Sequence, residues 1–115
     1  MKLSVTSWSF PQCNLSESTG LSNLLGINAI DLGYFYRSAL DKNTLLKDYK
    51  KIINEINKYN INYANLYHLF GNSLEDRNLA DINNLEDNKK DLSTVTNFCV
   101  EANIPSIFIL PGVTN

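Results

Sequence analysis

Leu24-Leu25-Gly26-Ile27-Asn28-Ala29-Ile30-Asp31-Leu32 decides how this chain is read. A helix-like stretch runs out at Gly26, an isoleucine follows, and a short apolar run begins. The same succession returns at Lys58-Tyr59-Asn60-Ile61-Asn62, ahead of Tyr63-Ala64-Asn65-Leu66-Tyr67. It returns again at Ala102-Asn103-Ile104-Pro105, ahead of Ser106-Ile107-Phe108-Ile109-Leu110. Glycine and asparagine tolerate the left-handed backbone needed just past a helix C-terminus, and the isoleucine after each can fold back onto the last turn. Helix, left-handed stop and strand, repeated around Ile27, Ile61 and Ile104, spell successive βα units on a parallel sheet. Such sheets carry their chemistry at the C-terminal ends of the strands.

Working outward, Lys2 to Trp8 reads as a first strand, with Ser4, Thr6 and Trp8 on one face and Leu3, Val5 and Ser7 on the other. A turn at Phe10-Pro11-Gln12 leads to a thin amphipathic helix near Ser16 to Leu25, and Ala29 to Leu32 forms the second strand. Thr44 to Tyr59 is the clearest helix. Leu45, Tyr49, Ile52, Ile53 and Ile56 make one stripe, lysines lie mostly opposite, and Asn43 or Thr44 is placed to cap it. Tyr63 to His68 is the third strand. A long loop over Gly71 to Leu85 precedes a third helix near Asp87 to Ala102, and Ser106 to Leu110 is the fourth strand. Four parallel strands with three crossover helices amount to half of an eight-unit barrel, which takes roughly 250 residues. The expectation is therefore a single partial domain over residues 1–115, the N-terminal half of a (β/α)8 barrel ending after strand four. The alternatives are a complete small open sheet or a flavodoxin-like sheet, the latter without any Gly-rich phosphate loop.

The 115 residues are 43% hydrophobic and 19% charged, with a formal net charge of −2. That acidic balance offers no electrostatic footprint for nucleic acid. No apolar run approaches the roughly 18–20 residues of a membrane span, and Met1-Lys2-Leu3-Ser4-Val5 lacks a secretory signal, so a cytoplasmic protein is expected. Cys13 and Cys99 have neither metal nor redox spacing, and Cys99 reads as a small buried apolar residue.

Each strand end carries polar or aromatic groups: Trp8, then Asp31 with Tyr34 and Arg37, then Tyr67 and His68, with Arg77 in the long loop. Asp31 interrupts an apolar run and shares a face with Ala29 and Gly33. A carboxylate there is either a functional group or an acceptor for neighbouring loops. His68, the only histidine, suits a metal, a sugar hydroxyl, a proton shuttle or a structural hydrogen bond equally well. Alternation puts Asn65 and Tyr67 on one face and His68 on the other, so Tyr67 and His68 face the same way only if the strand bends. Trp8 offers a wall for a ligand ring. Arg37 and Arg77 are candidate anchors for an anionic substrate, or plain surface arginines.

Taken together, Ser7-Trp8-Ser9-Phe10-Pro11-Gln12, Asp31-Leu32-Gly33-Tyr34-Phe35 with Arg37-Ser38, Asn65-Leu66-Tyr67-His68-Leu69-Phe70-Gly71 with Glu75-Asp76-Arg77, and Leu110-Pro111-Gly112-Val113 resemble the xylose isomerase-like barrel superfamily. More narrowly, they resemble its sugar phosphate isomerase/epimerase members, over the N-terminal half of such a protein. The resemblance implies a small carbohydrate substrate, a divalent metal (Mg, Mn, Co or Zn) and carboxylates moving a proton. It places the metal-binding Glu, Asp and His mainly on strands five to eight. Glu17, Glu55, Glu75, Glu86 and Glu101 all fall on helices or loops, so no catalytic residue is assigned and no tightly held metal is expected from these residues alone. The resemblance carries over a half-pocket: Trp8, Asp31, Tyr34, Arg37, His68 and Arg77 toward substrate, with His68 also toward the metal. One histidine disfavours the apurinic-site endonuclease branch. The expected partner is a missing C-terminal half-barrel, or a second copy meeting the exposed strand edges. A non-catalytic, self-associating half-barrel is the alternative reading.

Overall fold

The computed structural model describes residues 2–34, 40–73 and 75–111. Its strands are β1 (Val5–Thr6), β2 (Ala29–Leu32), β3 (Asn62–Leu69) and β4 (Ile107–Leu110), and its helices are α1 (Leu15–Leu24), α2 (Lys42–Ile56) and α3 (Leu85–Glu101). Short 3-10 turns at Ser7–Ser9 and Ile82–Asn84 complete it. The strands form one sheet in the order β1-β2-β3-β4, and every pairing is parallel. Parallel neighbours joined by right-handed crossovers, taken in sequence order, send every helix to the same face. The core agrees: Leu15 of α1, Leu45, Ile52 and Ile56 of α2, and Val95, Phe98 and Cys99 of α3 pack in one cluster with Ile30, Leu32, Tyr63 and Leu66 of the sheet. A doubly wound, flavodoxin-like arrangement would put helices on both faces and is not what this chain adopts.

The helix stops explain the chain reversals. Gly26 and Asn103 have φ of 74° and 57°. Behind them, the N–H of Ile27 donates to Ser22 O at 3.0 Å, and that of Ile104 to Cys99 O at 2.9 Å. These are the six-to-one bonds of a Schellman ending, and they fold each isoleucine back on its helix. The second stop differs. Asn60 does not take a left-handed φ; α2 instead closes through Lys58 N–H to Glu55 O and Tyr59 N–H to Ile56 O.

Other boundaries shift for local reasons. Only Val5 and Thr6 pair as β1, because the Thr6 hydroxyl accepts the Trp8 N–H at 3.3 Å and turns the chain into the 3-10 segment. Asn14 and Glu17 close a reciprocal capping box, each bond 2.9 Å, which starts α1 at Leu15. The inner face of α1 is small rather than greasy: Ser18, Thr19 and Ser22 are buried beside Leu15. Asp41, rather than Asn43 or Thr44, caps α2, accepting the Asn43 N–H at 3.2 Å and the Thr44 hydroxyl at 2.6 Å. No described helix is long and apolar enough to cross a membrane.

The left-handed stops carry a measurable load. Gly26→Ala, which forces a side chain into φ 74°, is expected to lower unfolding free energy by about 1 kcal/mol in urea titrations. Asn60→Ala, at an exposed position without positive φ, is expected to cost much less. Equal losses would remove the distinction between the two endings.

Candidate functional site

The two faces of the sheet separate the candidate residues. Along β3, Leu66, His68 and Phe70 are buried on the helix side, while Asn65 and Tyr67 stand on the other. A bulge between Ile30/Tyr63 and Asp31/Asn65 sets this phase. Tyr63 and Leu66, three residues apart, both reach the helix side only because Ala64 is the extra residue. Without the bulge, counting from Tyr63, it would be Tyr67 that entered the core and His68 that left it.

The face away from the helices holds a polar row and an aromatic row. The Ser4 hydroxyl donates to Asp31 Oδ1 at 3.0 Å, and that of Ser106 to Asn65 Oδ1 at 2.7 Å. Trp8 lies against Tyr67 with ring centroids 4.7 Å apart, and Tyr67 lies against Phe108 at 5.1 Å. Trp8 is 37% exposed and Phe108 49%, so the ledge is open to solvent from β1 to β4. Asp31, with one oxygen on Ser4, keeps acceptor capacity toward that space.

The second group of residues lies on the helix side, around the C-terminal ends of β2 and β3. His68 is fully buried; its Nδ1 is 2.8 Å from the Tyr34 hydroxyl, and its ring meets the edge of Phe70 at 4.6 Å. Its Nε2 has no hydrogen-bond partner among the described residues. Burial, reinforced by the charges of Lys42 and Arg77, pushes His68 down to about 4. Burial, then the neighbouring Cys99 and Asp91, pushes the Tyr34 phenol up, so both partners are neutral at pH 7. Lys42, at the start of α2, donates to the carbonyls of Leu69 and Gly71 and sits 5.8 Å from the Tyr34 ring centroid. Half-buried there, its ammonium is held below the usual lysine range, mainly by desolvation.

Arg77 is committed to α3. Its guanidinium pairs with Asp91 and donates to Asn88 Oδ1 at 3.1 Å, while its own carbonyl accepts from Asn88 Nδ2 at 2.9 Å. Asp76 fastens the loop start by accepting the Asn72 N–H at 2.8 Å. A Cβ on Gly71, at φ 68°, would meet that carboxylate at 2.5 Å, so glycine is required.

Of the residues expected to share a pocket, Trp8 and Asp31 lie on the open face, whereas Tyr34 and His68 lie together in the helix-side core. Arg77 is an internal clasp of the long loop, and Arg37 lies outside the described residues. The His68 ring is directed away from Asp31 and Trp8 by the pleat of β3, so it cannot share a ligand with them. Lys42 went unrecognised in the sequence because it precedes the apolar stripe of α2 and shares no periodicity with it. Phe108 went unrecognised because an aromatic in an apolar strand reads as core. Cys99 is buried as expected, its thiol pushed up to about 12 by burial. Among the described residues no three His, Cys, Asp or Glu side chains converge as a metal requires, so no step through a metal is assigned to them.

The neutral burial of His68 has a definite pH signature. Its folded pKa lies below its unfolded value of 6.5, so the stability it secures is complete above about pH 6.5 and is lost as pH falls toward 4. Between pH 7 and 4.5 the protein is expected to lose about 2 kcal/mol more stability than His68→Gln, which still offers Tyr34 an acceptor. Parallel stability–pH curves would place the acid sensitivity elsewhere.

Comparison of the chain with family models, with curated proteins and with solved structures gave no match to any of them, and the functional reading rests on the geometry above.

Proposed function

We propose that the open face is the inner wall of a carbohydrate-handling barrel, and that the four βα units are the N-terminal half of a (β/α)8 fold of the xylose isomerase-like kind. One observation carries this reading: a singly wound parallel sheet leaves uncovered the face that holds both the Ser4–Asp31 and Ser106–Asn65 pairs and the Trp8–Tyr67–Phe108 ledge. A sugar presents one face of C–H bonds and a rim of hydroxyls. The aromatic ledge suits the first, and the Asp31 carboxylate and Asn65 amide suit the second. In the complete barrel the reaction is the aldose–ketose isomerisation or epimerisation of a sugar or sugar phosphate. A divalent metal in such a barrel supplies charge for an oxygen that gains negative character. Within this reading the described residues bind and orient: Asp31 and Asn65 hold hydroxyls, and Trp8 and Tyr67 shut water from one side of the ring. Arg77, spent on Asp91, has no phosphate-anchoring role in it.

Trp8 is the only tryptophan, so its fluorescence reports the ledge directly. Titration with aldoses, ketoses and their phosphates is expected to give saturable quenching with Kd near 1 mM, about −4 kcal/mol. Asp31→Asn and Tyr67→Ala are expected to weaken it roughly tenfold, one hydrogen bond or one ring contact each, with little change in Tm. No isomerase turnover is expected from these 115 residues with any divalent metal. A flat titration for every sugar class would overturn the carbohydrate reading, and turnover at an ordinary enzyme rate would overturn the half-barrel reading.

A further inference from the structure

The helix α2 is not one straight rod. Asp48 has φ −155° and ψ 78°, extended rather than helical backbone, inside an otherwise helical stretch. One such residue interrupts the i→i−4 ladder and turns the helix axis. Breaks of this kind fall as a rule at proline or glycine. Lys47-Asp48-Tyr49 contains neither, so the break answers to what each half is fastened to. Residues 49–56 belong to the core: Ile52 and Ile56 are buried, Tyr49 meets Phe98 of α3 with ring centroids 6.4 Å apart, and its hydroxyl donates to Glu101 Oε1 at 3.3 Å. Residues 42–47 are fastened elsewhere. Asp41 caps them, Leu45 is their one fully buried side chain, and the Lys42 ammonium donates to Leu69 O and Gly71 O at the end of β3.

The shorter half lies over the Tyr34–His68 pair. Lys42 Nζ is 5.8 Å from the Tyr34 ring centroid, Tyr34 packs against the cluster that holds Leu45, and the first carbonyl Lys42 takes follows His68 in the chain. His68 is fully buried, and its Nε2 has no hydrogen-bond partner among the described residues. An imidazole nitrogen buried without a partner raises the free energy of the closed state, which favours any opening that lets water reach it. We propose that residues 41–47 are a hinged strap: turning about Asp48, they lift Lys42 from the carbonyls of Leu69 and Gly71 and open the Tyr34–His68 pair to solvent. The Lys42 contacts thus govern access to the only histidine of the chain. Leu45, buried under the strap, keeps the closed state dominant. The opening is local, because the contacts of Ile52, Ile56 and Tyr49 with the core and α3 are left in place. This inference stands apart from the half-barrel and carbohydrate readings, which concern the other face of the sheet.

A single histidine makes the opening directly readable. Diethyl pyrocarbonate, which acylates a neutral imidazole nitrogen, is expected to modify His68 of the wild-type chain at a rate nearly independent of urea below the unfolding transition, the mark of an opening that exposes little surface. In amide exchange on the same chain, Leu45, Leu46 and Lys47 are expected to be at least about 100-fold less protected than Ile53 and Ile56. Lys42→Met, which removes the donor and leaves both carbonyls bare, is expected to speed His68 modification at least about tenfold. Lys42→Arg, which keeps a cationic donor, is expected to stay within about threefold of wild type. Equal protection on the two sides of Asp48, or modification of His68 only through global unfolding, would overturn the strap in the wild-type chain alone, whether or not Lys42→Met folds. A folded Lys42→Met chain that reacts at the wild-type rate would overturn the part given to Lys42.

Discussion

Everything in this molecule follows from the way its crossovers are wound. Three crossovers between neighbouring parallel strands bring α1, α2 and α3 into one core on one side, and the sheet becomes a two-faced object. On one face Ile30, Leu32, Leu66, Val95 and Phe98 are fully buried, and the apolar area they remove from water is what makes a folded chain of this length possible. On the other, the same backbone periodicity delivers Ser4, Asp31, Asn65 and Ser106, side chains that would be costly in a dry core and that here bond to one another in pairs. Across that same face lie the three rings of Trp8, Tyr67 and Phe108.

The helix side is less uniform than its apolar cluster suggests. Around the ends of β2 and β3, Tyr34, His68, Lys42, Arg77, Asp91 and Asn88 are drawn together as the chain passes from strand to loop to helix. Lys42 ties the start of α2 to the end of β3 through two carbonyls, and Arg77 ties the long loop to α3. These contacts satisfy backbone groups that strand ends otherwise leave bare. They make the loop after β3 a fastened segment, positioned by its own salt bridge and by the left-handed turns at Gly71 and Arg77. The polar cluster is thus explained by anchoring.

Much of this was legible in the sequence, and the exceptions are instructive. The left-handed stops at Gly26 and Asn103 were readable because few residues tolerate that backbone, and they fixed the βα order. The alternation of β2 was readable too, since Ile30 and Leu32 flank Asp31 with no irregularity inside the strand. Asn60 looked like the same kind of stop and is not, because α2 ends through hydrogen bonds that need no positive φ. Asp41 was passed over as a cap in favour of its neighbours, since three residues able to cap a helix, Asp41, Asn43 and Thr44, precede the stripe within four positions. The commitment of Arg77 to Asp91 was hidden because the two are 14 residues apart, across a loop whose path no periodicity describes.

The placement of His68 shows where such reading stops and why. Side-chain alternation in a strand is a strict count, and a single extra residue reverses it. Nothing in Tyr63-Ala64-Asn65 marks Ala64 as that residue; it carries neither the glycine nor the proline that signals a bulge. The bulge is instead a compromise between two demands of the core. Tyr63 must reach the helix side to donate its hydroxyl to Ile56 O at 2.6 Å, and Leu66 must reach it to pack among Ile30, Leu32 and Val95. Three residues cannot meet both demands in a regular strand, so the chain inserts one. From there the count runs on undisturbed, sending His68 to Tyr34 and Tyr67 out to Trp8 and Phe108. The chemistry available on the open face is therefore set by a packing requirement one turn of strand earlier, on the opposite side of the sheet.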